Sequence, residues 1–124
     1  MKKVIRTSKA PDPVGPYSQG LVCGSRIYVS GQGPFNPETG KKPEGVAEQT
    51  RQTLKNVQAI LEAGGATMDH VVKVTAHLQN VRQDFQAFNE VYKTFFKEPF
   101  PVRTTVGSDL LNILVEIDVI AELD

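Results

Sequence analysis

Two charged residues near the end of the chain form the main candidate for a chemical site. Arg103 follows Phe100-Pro101-Val102 at the start of one predicted strand, and Glu116 lies midway along the next. If these two strands pair as an antiparallel hairpin, the guanidinium and the carboxylate come close together. A buried arginine at an interface suits bidentate capture of a small carboxylate. Periodicity alone favours a plainer interpretation, a structural ion pair or a solvated sheet face.

The chain offers little for metal or covalent chemistry. His70 and His77 are the only histidines, and on one predicted strand their spacing puts them on opposite faces, so no metal site is expected. Cys23, the single cysteine, cannot form an internal disulfide and is expected to act as a small buried hydrophobic residue. No Gly-x-Ser-x-Gly elbow or phosphate-binding glycine loop occurs, and Gly31-Gln32-Gly33 alone is a weak signal.

Hydrophobic periodicity places these residues on a series of strands and helices. The predicted order is β-β-β-α-β-α-β-β, with strands over 3–7, 18–23, 26–30, 69–78, 102–107 and 113–123, and helices over 44–63 and 84–96. Two helices so placed can cover only one face of the sheet, which predicts an α+β fold. Residues 10–16 hold three prolines and one glycine, so an ordered loop is expected there. Glycines 31 and 33 are expected to end the third strand.

The last predicted strand alternates in polarity along its length. One face carries only apolar residues, from Ile113 to Leu123, and the other carries Glu116, Asp118 and Glu122 beside Leu114 and Ile120. A half-apolar face without a covering helix predicts burial against another subunit.

Length and charge limit the possible partners. The 124 residues fit a single domain over 1–124. Fourteen Lys and Arg balance fourteen Asp and Glu, giving a formal net charge of zero, so a nucleic-acid partner is not expected. The basic N-terminus precedes no apolar stretch, and no apolar run is long enough to span a membrane, so a cytoplasmic location is expected.

Seven short motifs occur in a specific order from about Lys3 to Glu122. Together they resemble the RidA family (reactive intermediate deaminase A, also called YjgF or L-PSP). The motifs are Ala10-Pro11 with Gly15-Pro16-Tyr17-Ser18-Gln19, Ser30-Gly31-Gln32, Asn36-Pro37-Glu38-Thr39-Gly40, Gln49-Thr50-Arg51-Gln52-Thr53-Leu54-Lys55-Asn56, Phe88-Asn89-Glu90-Val91-Tyr92, Pro101-Val102-Arg103 and Val115-Glu116-Ile117.

The resemblance implies a chorismate-mutase-like α+β fold, with one mixed sheet and two helices on one face, assembled as a homotrimer with sites at the subunit interfaces. It implies hydrolysis of 2-iminobutanoate and 2-iminopropanoate, or their enamine tautomers, to 2-keto acids and ammonia. These reactive intermediates come from pyridoxal-phosphate enzymes, and 2-aminoacrylate is one of them. No cofactor is implied.

The resemblance also assigns roles to individual residues. It implies that Arg103 binds the substrate carboxylate and that Glu116 serves the hydrolytic water. Tyr17, Ser30, Gly31 and Asn89 match pocket positions. Thr105 stands in the pocket where many members have cysteine, and the loop over residues 107–112 is shorter than usual.

Two other functions stay open at this point. The same pocket would serve a binding or regulatory trimer that takes up small carboxylates without catalysis. The older L-PSP label points instead to an endoribonuclease, which the zero net charge and the lack of a suitable histidine pair disfavour.

Overall fold

Six strands form one mixed sheet, and two helices pack on one of its faces. The computed structural model describes residues 1–124. In chain order the elements are β1 (Lys2–Ile5), β2 (Gly20–Cys23), β3 (Arg26–Gln32), α1 (Val46–Ala63), a short 3-10 helix (Met68–His70), β4 (Val71–Leu78), α2 (Val81–Tyr92), β5 (Val102–Gly107) and β6 (Val115–Glu122). This order confirms the predicted α+β arrangement.

Helix α1 forms because apolar residues recur along one side of it. The stripe packs on the sheet and is fully buried at Leu54, Val57, Ile60 and Leu61. The helix ends where Gly65 adopts a φ of 93°, a conformation that glycine accepts without strain. There the Ala66 N–H donates to the Leu61 carbonyl at 2.9 Å and the Gly65 N–H to the Glu62 carbonyl at 3.1 Å, which closes the last turn.

Helix α2 lies earlier in the sequence than its prediction over 84–96. It begins after Asn80 and ends at Tyr92. Beyond the helix, the Thr94 and Phe95 N–H groups donate to the carbonyls of Val91 and Tyr92, in turns that do not belong to the helix. Phe96 packs into the core although it lies beyond the end of the helix. The prediction included Phe96 in the helix because the residue is apolar, but its burial comes from tertiary packing.

The two histidines do not share a strand. His70 lies in the 3-10 helix, where its Nδ1 accepts a hydrogen bond from the Thr67 N–H at 3.0 Å. The prediction that placed it on a strand with His77 was therefore wrong, because Thr67 and His70 cap a local turn instead. His77 lies on β4. The structure gathers no three His, Cys, Asp or Glu side chains in a group that could hold a metal ion.

The last two strands do not form the antiparallel hairpin that would bring Arg103 close to Glu116. The strand order is β1-β2-β3-β6-β4-β5, so β4 separates β5 from β6. Strand β5 runs parallel to β4, which places Arg103 beside Val74, and β6 runs antiparallel to β4, which places Glu116 beside His77. Strand β3 differs from its prediction too. It continues through Gly31 to Gln32, with an irregular register between Val29 and Gln32.

The faces of the sheet differ in what covers them. Its helix-covered side carries buried residues of the three central strands, among them Ile27, Val29, Val74, Ala76, Val115, Ile117 and Val119. Its opposite side, which no element of the chain covers, carries Tyr28, His77, Glu116, Asp118 and Ile120, all at least partly exposed. We call this side the open face. Neither helix combines the length and apolar character needed to cross a membrane.

Candidate functional site

Glu116, Gly31 and Tyr17 line one cavity of about 220 Å³. Glu116 reaches it from β6, and Gly31 from the irregular end of β3. A Cβ atom on Gly31 would lie 2.6 Å from Glu116 Oε2, so only glycine leaves room for the carboxylate at this point. The Tyr17 ring comes from the proline-rich loop, where its hydroxyl accepts a hydrogen bond from the Val14 N–H at 3.2 Å. We call Glu116, Gly31 and Tyr17 together the carboxylate half-site.

Gln19 holds the loop that carries Tyr17. Its side chain is 2% exposed. The amide Oε1 accepts from the Thr7 N–H at 2.8 Å, and Nε2 donates to the carbonyls of Thr7, Ala10 and Pro11 at 3.0, 3.3 and 2.9 Å. The Gln19 side chain thus supplies hydrogen-bond partners for backbone groups of a loop whose three prolines have no N–H to donate. The sequence motif that contains Gln19 carries no signal of this role, since the partners of its side chain lie 8 to 12 residues away.

Ser30 helps to hold the same loop and does not line the cavity beside Glu116. Its hydroxyl donates to the Ser18 carbonyl, and its N–H donates to the Gln19 carbonyl at 2.9 Å. The side chain lines a separate depression beside Tyr28. Ser30 therefore lies next to the predicted pocket residue Gly31 without facing the Glu116 carboxylate.

Arg103 lies on the other side of the sheet, against α2. Its guanidinium carbon is 4.6 Å from the ring centroid of Tyr92, 5.4 Å from that of Phe88 and 5.8 Å from that of Phe85. Aromatic faces attract the cation without neutralising it, and Arg103 forms none of the chain's ion pairs. No carboxylate of the chain neutralises it, so its charge is available to an external anion.

A cavity of about 280 Å³ opens beside this arginine, lined by Asn89, Tyr92, Phe100 and Arg103 among others. Three buried polar atoms in the neighbourhood have no hydrogen-bond partner, namely Asn89 Oδ1, the Tyr92 hydroxyl and Thr105 Oγ1. Buried polar groups are rarely left unpaired in proteins. We call this group, with Arg103, the arginine half-site.

The two half-sites are separated within one chain. Their Cα positions lie two strands apart and three residues apart along β4, which is about 14 Å. Register also places Arg103 on the helix-covered side with Val74, and Glu116 on the open face with His77. The structure thus brings Tyr17 and Gly31 to Glu116, and Asn89 and Thr105 to Arg103, but it does not bring Arg103 to Glu116.

A further polar cluster lies on the open face beside Glu116. His77 Nδ1 is 2.8 Å from Ser108 Oγ, and His77 Nε2 is 4.0 Å from Asp118 Oδ2. Partial burial raises the pKa of Asp118 above its ordinary value, and the charges of His77 and Lys73 oppose that rise.

The comparisons with known proteins agree with this architecture. The family model described as Endoribonuclease L-PSP matches residues 7–123. The 2-iminobutanoate/2-iminopropanoate deaminase of Dermatophagoides farinae is 42% identical over 126 residues, covering 99% of this chain and 98% of that protein. A RutC family protein of Pyrococcus horikoshii is 44% identical over 124 residues, covering 98% of both. The crystal structure of E. coli TdcF with bound serine is 39% identical with a TM-score of 0.93, covering 98% of this chain and 99% of that chain.

Fold and geometry together define a small α+β protein in which a free arginine and a free carboxylate each face a small cavity. The comparisons make the family definite. The chain belongs to the RidA family, also called YjgF, to which the L-PSP model refers. The resemblance read from the seven motifs is confirmed.

Proposed function

We propose that this protein is a 2-iminobutanoate/2-iminopropanoate deaminase. It would hydrolyse 2-imino acids, or their enamine tautomers, to 2-keto acids and ammonia. The observation that carries the proposal is the unpaired Arg103 guanidinium, held on aromatic rings beside a cavity with unpaired polar atoms. The relative from Dermatophagoides farinae, which is named for this activity, supports the same function.

The proposed active unit is a homotrimer with its sites at the subunit interfaces. In one chain the two half-sites lie on opposite sides of the sheet, so one small substrate cannot reach both of them. A neighbouring subunit packed on the open face would supply the missing half. The partly exposed apolar residues of that face, including Tyr28 and Ile120, support such packing.

In the proposed reaction Arg103 binds the substrate carboxylate through two parallel N–H···O bonds. This contact fixes the position of C2 and keeps it electrophilic. Glu116 orients a water molecule and accepts its proton as the new C–O bond forms. Glu116 passes this proton to the imine nitrogen, which gives a carbinolamine. It then transfers the carbinolamine hydroxyl proton to the amine, the C–N bond breaks as the C=O bond forms, and ammonia leaves with the 2-keto acid. Imine hydrolysis proceeds in water unaided, so positioned groups suffice and no cofactor is proposed.

The remaining pocket residues have smaller proposed roles. The Gly31 backbone N–H can approach a substrate because no side chain blocks it. The Tyr17 ring closes the carboxylate half-site. Asn89 and Thr105 offer polar atoms beside Arg103. Thr105 carries a hydroxyl, so the proposed reaction uses no thiol at this position.

The test is the release of ammonia and 2-keto acid from 2-iminopropanoate and 2-iminobutanoate, each generated in the assay by an amino-acid oxidase with semicarbazide competing for the free imine. Arg103→Ala should lower kcat/KM more than a hundredfold, equivalent to about 3 kcal/mol. Arg82→Ala, at an exposed arginine of α2, is the matched control and should match wild type. Full turnover by an Arg103→Ala trimer would remove the arginine from the mechanism.

The second candidate is a binding or regulatory trimer that takes up small carboxylates without turnover. The TdcF structure with bound serine shows that a protein of this fold binds a small amino acid. Calorimetric binding of 2-oxobutanoate and serine, combined with no acceleration of imine hydrolysis by the assembled protein, would favour this candidate.

An endoribonuclease is the third candidate, because the family model's description names that activity. The chain's zero formal net charge gives RNA little electrostatic attraction. Nuclease activity that copurifies with the trimer through successive columns and disappears in Glu116→Gln would support it. Activity that separates from the trimer would be a contaminant.

A further inference from the structure

Tyr92 places a buried hydroxyl without a partner in the arginine half-site. The residue is 6% exposed, and its oxygen has no hydrogen-bond partner in the chain. Its ring is fixed by Phe88 and Phe96, whose centroids lie 5.5 and 4.7 Å away. A buried hydroxyl without a partner costs free energy, so a side chain this firmly held points to a partner from outside the chain.

The position of Tyr92 relative to Arg103 indicates what that partner is. The guanidinium carbon lies 4.6 Å from the Tyr92 ring centroid, nearer than to either of the other two rings. The ring therefore supports the cation from one side, and both residues line the same cavity. A small anion that binds to the guanidinium would enter the cavity that Tyr92 also lines.

The ionisation of Tyr92 fits a donor role. Burial raises its pKa to about 12, although the charge of Arg103 and the close approach of its guanidinium to the phenol oxygen both act in the opposite direction. The phenol therefore keeps its proton at neutral pH. A neutral phenol can donate a hydrogen bond to a carboxylate, whereas a phenolate would repel it.

We propose that Tyr92 is a second carboxylate-binding residue of the arginine half-site. Its ring holds the Arg103 guanidinium in place, and its hydroxyl donates a hydrogen bond to the carboxylate that Arg103 captures. This role rests on the proposed function for the identity of the substrate. The binding of a carboxylate can nevertheless be measured without any turnover.

Tyr92→Phe tests the hydroxyl because it keeps the ring and its packing. We expect the calorimetric Kd for 2-oxobutanoate to rise about tenfold, and KM for the imine to rise similarly while kcat changes less than threefold. The Tm should stay the same or rise, since an unpaired buried hydroxyl has been removed. Ser8→Ala, which removes an exposed hydroxyl that belongs to neither half-site, is the control and should keep the wild-type Kd.

Tyr92→Leu tests the ring. It should weaken binding of 2-oxobutanoate more than Tyr92→Phe does, because Arg103 loses its support as well. If the folded Leu variant binds no more weakly than the Phe variant, the ring has no positioning role.

Three outcomes would overturn the proposal for the hydroxyl. In the first, the Kd of Tyr92→Phe stays within twofold of wild type. In the second, the Tm or the assembly of Tyr92→Phe is lost while binding is kept, which would assign the hydroxyl to a structural contact. In the third, wild type fails to bind 2-oxobutanoate at all. If wild type binds the acid but does not turn over imines, the deaminase proposal fails and the role of Tyr92 is still decided by the Kd comparison.

Discussion

Replacing Gly31 with alanine should displace the catalytic carboxylate proposed for this protein. A Cβ atom at this position lies 2.6 Å from Glu116 Oε2, 3.0 Å from Cδ and 3.3 Å from Cγ. Ordinary contacts begin at 3.4 Å, so Oε2 must retreat by about 0.8 Å (3.4 − 2.6), or the strand must shift. The new methyl group therefore acts on Glu116 and not on the hydrophobic core.

This displacement has a larger expected effect on activity than on stability. Misplacing a reacting group by about 1 Å can cost roughly a hundredfold in rate, so kcat/KM for 2-iminopropanoate should fall about a hundredfold. The free energy of unfolding should fall by only about 1 kcal/mol, at the low end for overpacking, because a glutamate side chain can rotate away.

A double-mutant cycle connects the two effects to one contact. Gly31→Ala is made in wild type and in a Glu116→Ala background, and unfolding by urea is measured in all four proteins. With the carboxylate removed, Gly31→Ala should cost almost nothing, giving a coupling of about 1 kcal/mol. The imine assay is run on wild type and Gly31→Ala, with the assembly state checked by sedimentation.

Two results would refute this reasoning. An equal loss of stability in both backgrounds would mean that the methyl group meets something other than Glu116. Wild-type kcat/KM in a correctly assembled Gly31→Ala protein would mean that the position of the Glu116 carboxylate does not matter for turnover.

Two further predictions concern the Tyr17 loop and the Tyr92 phenol. Gln19→Leu should lower the free energy of unfolding by about 3 kcal/mol and reduce activity, because the backbone groups of Thr7, Ala10 and Pro11 lose their partners. Urea denaturation checks this, and an unchanged midpoint would contradict it. Burial raises the pKa of Tyr92 to about 12 in the folded protein, whereas the ordinary value in an unfolded chain is near 10. Because the unfolded chain loses the phenol proton first, the contribution of Tyr92 to the free energy of unfolding is fully present below pH 10 and is lost as the pH rises towards 12. Between pH 9 and 11.5 the Tm should fall more steeply in wild type than in Tyr92→Phe, and parallel curves would contradict the assignment.

Local patterns predicted the elements of this fold well. The apolar stripe of α1 and the glycines at its end fixed that helix to within two residues at its start. The alternation along β6 correctly predicted which side chains face the helices. These features depend on spacing within one element, so the sequence contains them directly.

Features that depend on distant contacts were predicted less well. His70 was assigned to a strand because its neighbours are β-branched, but a hydrogen bond to Thr67 makes it part of a turn. The end of α2 was placed too late because Phe96 is buried through tertiary packing and not through helical spacing. Gln19 and Tyr92 carried no signal of their roles, since their partners come from other parts of the chain.

The sequence by itself determined the element order, the family and the residue types available for chemistry. Only the tertiary structure decided on which strand neighbours and which face of the sheet those residues lie. The reason is that the order of strands within a sheet does not have to follow their order in the chain. The fold inserts β4 between β5 and β6, and the register of each strand with β4 places Arg103 on the side of α2 and Glu116 on the open face. Side chains on opposite faces of a sheet cannot meet within one chain, and this separation is the physical reason for proposing a site that two subunits share.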